Sequence, residues 1–308
     1  MRVAAVDIGT NTILLLIADV GNDGSVRVMR DEQVIARLGK GVDERRMVLP
    51  ETFERAVSFL KTYKALIDEA RVERVVACGT SFLRDAENRQ EFIDFVRDRV
   101  GITVRVLSGE EEAMLTYAGA VSEFATAGLH EQFAVLDIGG GSTELTIGSG
   151  PHATQRISLD IGSVRITERF LKTSPPSSTG LHEASEFIQK HLRALVDLSP
   201  GTRLIGVAGT LTTLAALDLQ LPQYDRAKVS GHVLRQNVVE AWFERLKSKT
   251  IEEIKSYPQI LPARADVILA GILILLETMK QLRVEEITVS DRGLRYGIAL
   301  QAVGLVKT

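Results

Sequence analysis

The chain has 308 residues, 45% of them hydrophobic and 25% charged, and its formal net charge is −3. That length accommodates two domains of ordinary size, and the composition is globular, neither disordered nor fibrous. Slight acidity argues against a general nucleic-acid binder, and the longest apolar run, residues 267–276, falls far short of the ~20 residues a membrane span needs. The single cysteine, Cys78, cannot form an intramolecular disulfide and fits a reducing cytoplasm. Met1-Arg2 leads straight into a strand, so no signal peptide is expected.

Residues 3–6, 13–20 and 26–35 read as strands. The first two flank Asp7-Ile8-Gly9-Thr10-Asn11-Thr12, which puts Asp, Gly and hydroxyl residues at the bend of a hairpin. A helix is expected over 51–70, started at Leu49-Pro50 and patterned by Val57, Leu60, Tyr63, Leu66 and Ile67. A fourth strand, 74–78, runs into a loop, Gly79-Thr80-Ser81-Phe82-Leu83-Arg84. A helix at 87–100, a strand at 103–107 and a helix after Ser108 follow. Three consecutive strands and then alternating helix and strand is the order of a ribonuclease-H-like α/β domain.

A linker or hinge is expected at 121–131, and the order then restarts. Strands fall at 133–138, 144–148 and 155–159, and a helix begins at Ser163. A proline-bearing loop at 173–180, a helix at 181–196 and a strand at 203–207 come next. Helices near 212–217, 234–248, 263–282 and 294–303, with a strand at 286–289, complete the chain. The second half reads as an enlarged copy of the first. The expected domains are 1–122 and 123–308, two ribonuclease-H-like α/β domains with a cleft between them.

The second half carries its own bend, Asp137-Ile138-Gly139-Gly140-Gly141-Ser142-Thr143-Glu144. Glycines there let consecutive N–H groups face an anion. A lone Asp-x-Gly is common turn chemistry, but its recurrence in the same strand–bend–strand setting argues for a phosphate grip. Neither bend leads into a helix as a dinucleotide fingerprint or Walker loop does. Asp137 and Glu144 offer hard oxygens that suit Mg2+, or Mn2+, and Asp7 is the matching carboxylate of the first bend. Thr10, Asn11, Ser142 and Thr143 can add side-chain hydrogen bonds.

Ser108 with Glu111 fits a capping box, and acidic first-turn residues suit a helix dipole. That accounts for Glu110 and Glu111 and leaves Glu112 over. Arg84 reads equally as a phosphate fork or as a helix-start ion pair. Gly206-Val207-Ala208-Gly209-Thr210 is either a third anion loop or a tight strand–helix turn, and Arg264 is weak on its own. The five histidines, 130, 152, 182, 191 and 232, show no metal-site spacing.

Taken with Arg37-Leu38-Gly39, Ile161-Gly162-Ser163-Val164-Arg165, residues 264–271 and residues 290–295, these segments resemble the exopolyphosphatase / guanosine pentaphosphate phosphohydrolase family, in its short two-domain form. The resemblance implies a cytoplasmic hydrolase that releases terminal phosphate from inorganic polyphosphate, or the 5′-phosphate of guanosine pentaphosphate. A phosphotransferase to ADP and a polyphosphate sensor are the readings of another class. It implies Glu112 as the base or water-orienting group, and Asp137 and Glu144 as Mg2+ ligands that help position water. Gly139, Gly140, Gly141 and Ser142 would cradle phosphate with Asn11 opposite, and Arg84 and Arg264 would contact the chain. Many family members continue for roughly 200 further residues. Extra contacts for a long substrate are therefore sought in Arg165, Arg169, Lys172, Lys190 and Arg193. Neither nucleic acid nor membrane is an expected partner, and a homodimer is left open.

Overall fold

The first two strands are near-continuous apolar runs whose alternate side chains bury on opposite faces of the sheet, the pattern of strands covered on both sides. The structure is a computed structural model and describes residues 1–124 and 131–307. Residues 125–130 of the expected linker therefore lie outside the described residues. The chain divides into two units, Met1–Ser122 with Arg292–Thr308, and Glu123–Asp291.

In the first unit β1 (Arg2–Ile8), β2 (Thr12–Val20) and β3 (Val26–Ile35) form an antiparallel meander. After α1 (Val42–Arg45) and α2 (Pro50–Glu69), β4 (Arg74–Gly79) pairs parallel with β1. Then come α3 (Ser81–Asp85), α4 (Arg89–Val100), β5 (Val104–Val106) and α5 (Gly109–Val121). The strand order is β3-β2-β1-β4-β5. Ala4, Val6 and Ile8 pack into the core that holds Val57, Leu60, Phe92 and Val96 of α2 and α4. Val3 and Ala5 join the opposite cluster, with Leu115 of α5.

The second unit repeats that plan. β6 (Gln132–Ile138), β7 (Thr143–Ser149) and β8 (His152–Leu159) form the meander. α6 (Ser163–Phe170), α7 (Ser178–Leu192), β9 (Arg203–Val207) and α8 (Ala208–Asp218) follow. Next are α9 (Arg226–Val229), β10 (Val233–Arg235), α10 (Gln236–Lys247), α11 (Ile251–Lys255), a 3-10 turn at Pro262–Arg264, α12 (Ile268–Leu282) and β11 (Glu286–Val289). The order is β10-β11-β9-β6-β7-β8, the first sheet's order with one strand added at the edge. Leu136, Ile138 and Leu145 face a core built on α7, α8 and α12. No helix among the described residues is long and apolar enough to cross a membrane.

Four expectations change. The segment expected as a helix from 234 starts as β10, because Leu234 pairs with Ile287 of β11; three residues are too few to show a period in sequence. Residues 79–84, expected as a loop, contain the short α3, and the helix expected from 263 begins at Ile268 after the 3-10 turn. The last helix, α13 (Leu294–Ala302), does not close the second domain as expected but groups with the first unit. Tyr296, Ile298 and Leu300 bury with Val3, Ala5 and Leu16, and a Cβ on Gly297 would run into the Leu115 carbonyl of α5. That close crossing is open only to glycine, and it fixes where the tail packs.

Candidate active site

The two bends have one geometry. Asp7 lies opposite Leu14 and Ile8 opposite Ile13, just as Asp137 lies opposite Glu144 and Ile138 opposite Thr143. Gly9 N–H donates to the Thr12 carbonyl at 2.9 Å, and Gly139 N–H donates to the Ser142 carbonyl at 3.0 Å. Even the irregularity farther along repeats, between Ile17 and Ala18 in one meander and between Ile147 and Gly148 in the other. The first bend thus serves as an internal control for the second. Where the first has Thr10, Asn11 and Leu14, the second has Gly140, Gly141 and Glu144.

Peptide geometry gives the second bend its polarity. The Gly139 carbonyl accepts from Ser163 N–H at 2.9 Å, and the Gly140 carbonyl from Val164 N–H at 2.8 Å and Arg165 N–H at 3.2 Å. The Gly141 carbonyl accepts from Arg165 Nε at 2.8 Å. Three successive carbonyls therefore face the start of α6. In a planar trans peptide the N–H of the next residue points opposite to the carbonyl. The N–H groups of Gly140, Gly141 and Ser142 consequently point away from α6 together, and successive N–H groups of this kind form an anion-binding concavity. In the first bend the Asn11 carbonyl accepts from Ala36 and Arg37 N–H, and the Thr10 carbonyl from Gly39 N–H. That turns the N–H groups of Asn11 and Thr12 outward. Arg55 secures the brace by donating to the Ala36 carbonyl at 2.8 Å and the Arg37 carbonyl at 3.2 Å.

Gly162, which precedes α6, has no room for a side chain: a Cβ there would run into the Gly140 and Gly141 backbone. Gly162→Ala is expected to cost about 1–3 kcal/mol of stability, the usual penalty of overpacking against backbone, and to raise KM by displacing the loop. Denaturant unfolding and initial-rate kinetics check both effects.

Asp137 and Glu144 are directly opposed on neighbouring strands, so they share one face with their Cβ atoms roughly 5 Å apart. That face is the reverse of the one carrying Leu136, Ile138 and Leu145. Asp137 is half-buried, whereas Glu144 is 2% exposed and accepts a hydrogen bond from Ser158 Oγ at 2.8 Å. Two hard carboxylates beside a phosphate-facing loop fit Mg2+, which takes one or two protein carboxylates and completes its shell with water and phosphate. Among the described residues no group of three His, Cys, Asp or Glu gathers for a metal. Asp7 is buried at the matching place in the first unit, opposite Leu14 and beside Cys78 of β4. Burial pushes the Cys78 thiol up to about 11, which suits a core residue and not a nucleophile.

The helix start in the first unit separates three adjacent glutamates. Ser108 Oγ accepts from Glu111 N–H at 3.1 Å and Glu111 Oε2 accepts from Ser108 N–H at 2.8 Å, completing the capping box. Glu110 is exposed, and Glu111 also meets Arg105 at 2.9 Å. Glu112 is buried and pairs with Arg84, its Oε2 2.5 Å from Nη1. Burial pushes the Glu112 carboxyl above its ordinary range, and the Arg84 guanidinium only partly opposes that. Arg84 donates as well to the Leu107 carbonyl at 3.2 Å. The ion pair is one of the two readings open for Arg84, and it does not exclude the other.

Gly206–Thr210 is the turn from β9 into α8, and Ala208 holds φ 72, a conformation that costs a residue with a Cβ. Arg264 lies over Gly209, donating to its carbonyl at 3.3 Å and filling the place a Cβ would take. Burial lowers the Arg264 pKa, and Tyr224 and Asp291 oppose that only in part. The Thr210 side chain is buried against Gly271 of α12. A Cβ on Gly271 would run into the Thr210 hydroxyl. Arg165 departs from expectation. It is 5% exposed and bonded to the loop, not displayed as a contact for a long substrate. The bracing roles of Gly162, Arg165 and Arg55 had no reading in sequence, although Gly162 just before a helix was a visible signal.

The Ppx/GppA phosphatase family model matches residues 16–305, starting inside β2. Exopolyphosphatase 2 of Mycobacterium tuberculosis is 36% identical over 319 aligned residues, which cover 98% of this chain and 99% of that protein. The crystal structure of the Aquifex aeolicus Ppx/GppA family member superimposes with TM-score 0.82 at 37% identity, covering 98% and 97% of the two chains. An exopolyphosphatase from Cytophaga hutchinsonii superimposes with TM-score 0.87 at 28% identity, covering 99% of each. With a family match over nearly its whole length and the doubled ribonuclease-H-like plan behind it, the chain belongs to the Ppx/GppA phosphatase family.

Proposed function

We propose that this chain is a cytoplasmic exopolyphosphatase that removes the terminal phosphate of inorganic polyphosphate. The observation that carries the reading is the second bend: three outward N–H groups beside the Asp137–Glu144 pair. Its internal control, the first bend, holds Leu14 in place of the glutamate. A phosphoryl group carries charge on its equatorial oxygens, and fixed donors aimed at that charge are the main source of rate for such transfers.

In the proposed step a water oxygen attacks the terminal phosphorus in line. The bridging P–O bond breaks, the chain leaves one phosphate shorter, and orthophosphate is released. Glu112 orients the water and takes its proton; a carboxyl raised by burial is a stronger base than an exposed one. Arg84 holds Glu112 and extends toward the phosphate chain, which Asn11, Arg264 and the backbone of Gly209 and Thr210 also contact. Asp137, Glu144 and Asp7 are the proposed ligands of Mg2+ or Mn2+. When bound, such an ion neutralises charge developing on the phosphoryl oxygens.

Orthophosphate release from tripolyphosphate, long polyphosphate and guanosine pentaphosphate tests the reading. Release from polyphosphate is expected with Mg2+ or Mn2+ and should vanish in chelator. Undiminished turnover by metal-free protein would contradict the ligand assignment. Preference for guanosine pentaphosphate would move the substrate to the nucleotide, and ATP formed from ADP would make the chain a transferase.

A further inference from the structure

We infer that Arg165 is a positioning residue that fixes the polarity of the phosphate loop, holding the Gly141–Ser142 peptide with its N–H toward the substrate. The inference rests on the phosphate-loop reading above and goes beyond it. Gly139 and Gly140 have their carbonyls held by backbone N–H groups of α6. Helix formation itself aims those donors, so these two peptides are set by the fold. The Gly141 carbonyl has a side-chain donor, Arg165 Nε at 2.8 Å. A peptide after glycine turns over readily, since glycine tolerates both signs of φ. Turned over, this one would aim a carbonyl at an anion and withdraw the Ser142 N–H.

Burial supports a fixed role. Arg165 is 5% exposed on the first turn of α6, and the helix brings both its backbone N–H and its Nε onto neighbouring loop carbonyls. A guanidinium whose task was to meet a long solvated chain would be displayed, as Lys172 and Lys190 are. The first bend reaches its brace differently: Arg55 holds the bracing segment and not the bend itself.

Two substitutions separate the hydrogen bond from the charge. Gln places its amide nitrogen at the same distance along the side chain as arginine Nε, so Arg165→Gln keeps a neutral donor for the Gly141 carbonyl. Arg165→Met keeps the shape and loses the donor. Wild type and both variants are compared by tripolyphosphate KM, by orthophosphate inhibition, and by the Ser142 amide nitrogen and proton shifts on adding orthophosphate. The expected result is at least a tenfold rise in KM and in the inhibition constant for Arg165→Met, with loss of the phosphate-induced Ser142 shift. Arg165→Gln should stay within threefold of wild type and keep that shift. Equal impairment of both variants with a shallower salt dependence would overturn the proposal in favour of direct charge contact. Wild-type behaviour in Arg165→Met would overturn it outright. A wild-type protein whose Ser142 amide ignores orthophosphate would overturn the phosphate-loop reading as well, and so tells the two failures apart.

Discussion

Glu112→Gln is expected to lower kcat by on the order of 10²–10⁴, the usual contribution of a positioned acid–base group, with KM nearly unchanged. Gln still fills the site and still accepts a hydrogen bond from Arg84, but it takes no proton from water. Glu110→Gln and Glu111→Gln are the controls. The first is exposed, and the second belongs to a capping box that Gln also completes while losing the ion pair with Arg105, so neither should change turnover. The pH dependence has a definite sign. Because burial raises the Glu112 carboxyl, the acid limb of kcat/KM should lie above the ordinary carboxylate range, and the variant's residual activity should lack that limb. A group raised in the folded state binds its proton more readily there than in the unfolded chain. Its contribution to stability is full below the unfolded value and is lost as pH rises through the folded one. Thermal unfolding should therefore find the variant no less stable than wild type at neutral pH. Near-normal turnover in folded Glu112→Gln protein would remove Glu112 from the mechanism.

Glu144→Leu should have the second large effect, because it rewrites the second bend in the pattern of the first. Leu14 shows that the hairpin accepts leucine at this register, and Glu144 is almost fully buried. A buried carboxylate costs desolvation that an apolar side chain of similar size does not. The variant should fold with an unchanged or raised melting temperature. Its turnover should fall by on the order of 10²–10³, the loss seen when one fixed group opposing transition-state charge is removed. Saturating Mg2+ should not restore it. A stable but inactive protein is the signature sought, and calorimetry beside initial rates reads both halves. Recovery of activity at high Mg2+ would instead make Glu144 an aid to metal affinity alone.

Much of the plan was legible because the informative pattern occurs twice. Short apolar runs on either side of each bend gave both meanders, and Leu49-Pro50 gave the start of α2 to within a residue. The capping box left Glu112 unexplained, since Ser108 and Glu111 satisfied each other, but it was the family resemblance and not the pattern that gave Glu112 a role. The long-range braces were not legible. That Arg165 turns back onto Gly141, 24 residues earlier, depends on where α6 packs, and no local period encodes it. The Arg84–Glu112 pair spans 28 residues and joins two segments that were each read separately. The unit that holds the C-terminal helix was not legible for the same reason. Its apolar face is visible, but the choice of sheet rests on Gly297 fitting beneath Leu115, a matter of a single missing methyl group.

The most direct test of the account is hydrolysis of polyphosphate in heavy-oxygen water, followed by mass spectrometry of the products. Water attack on the terminal phosphorus predicts one heavy oxygen in every orthophosphate released and none in the shortened chain. Heavy oxygen found in the remaining chain, or orthophosphate carrying none, would contradict it.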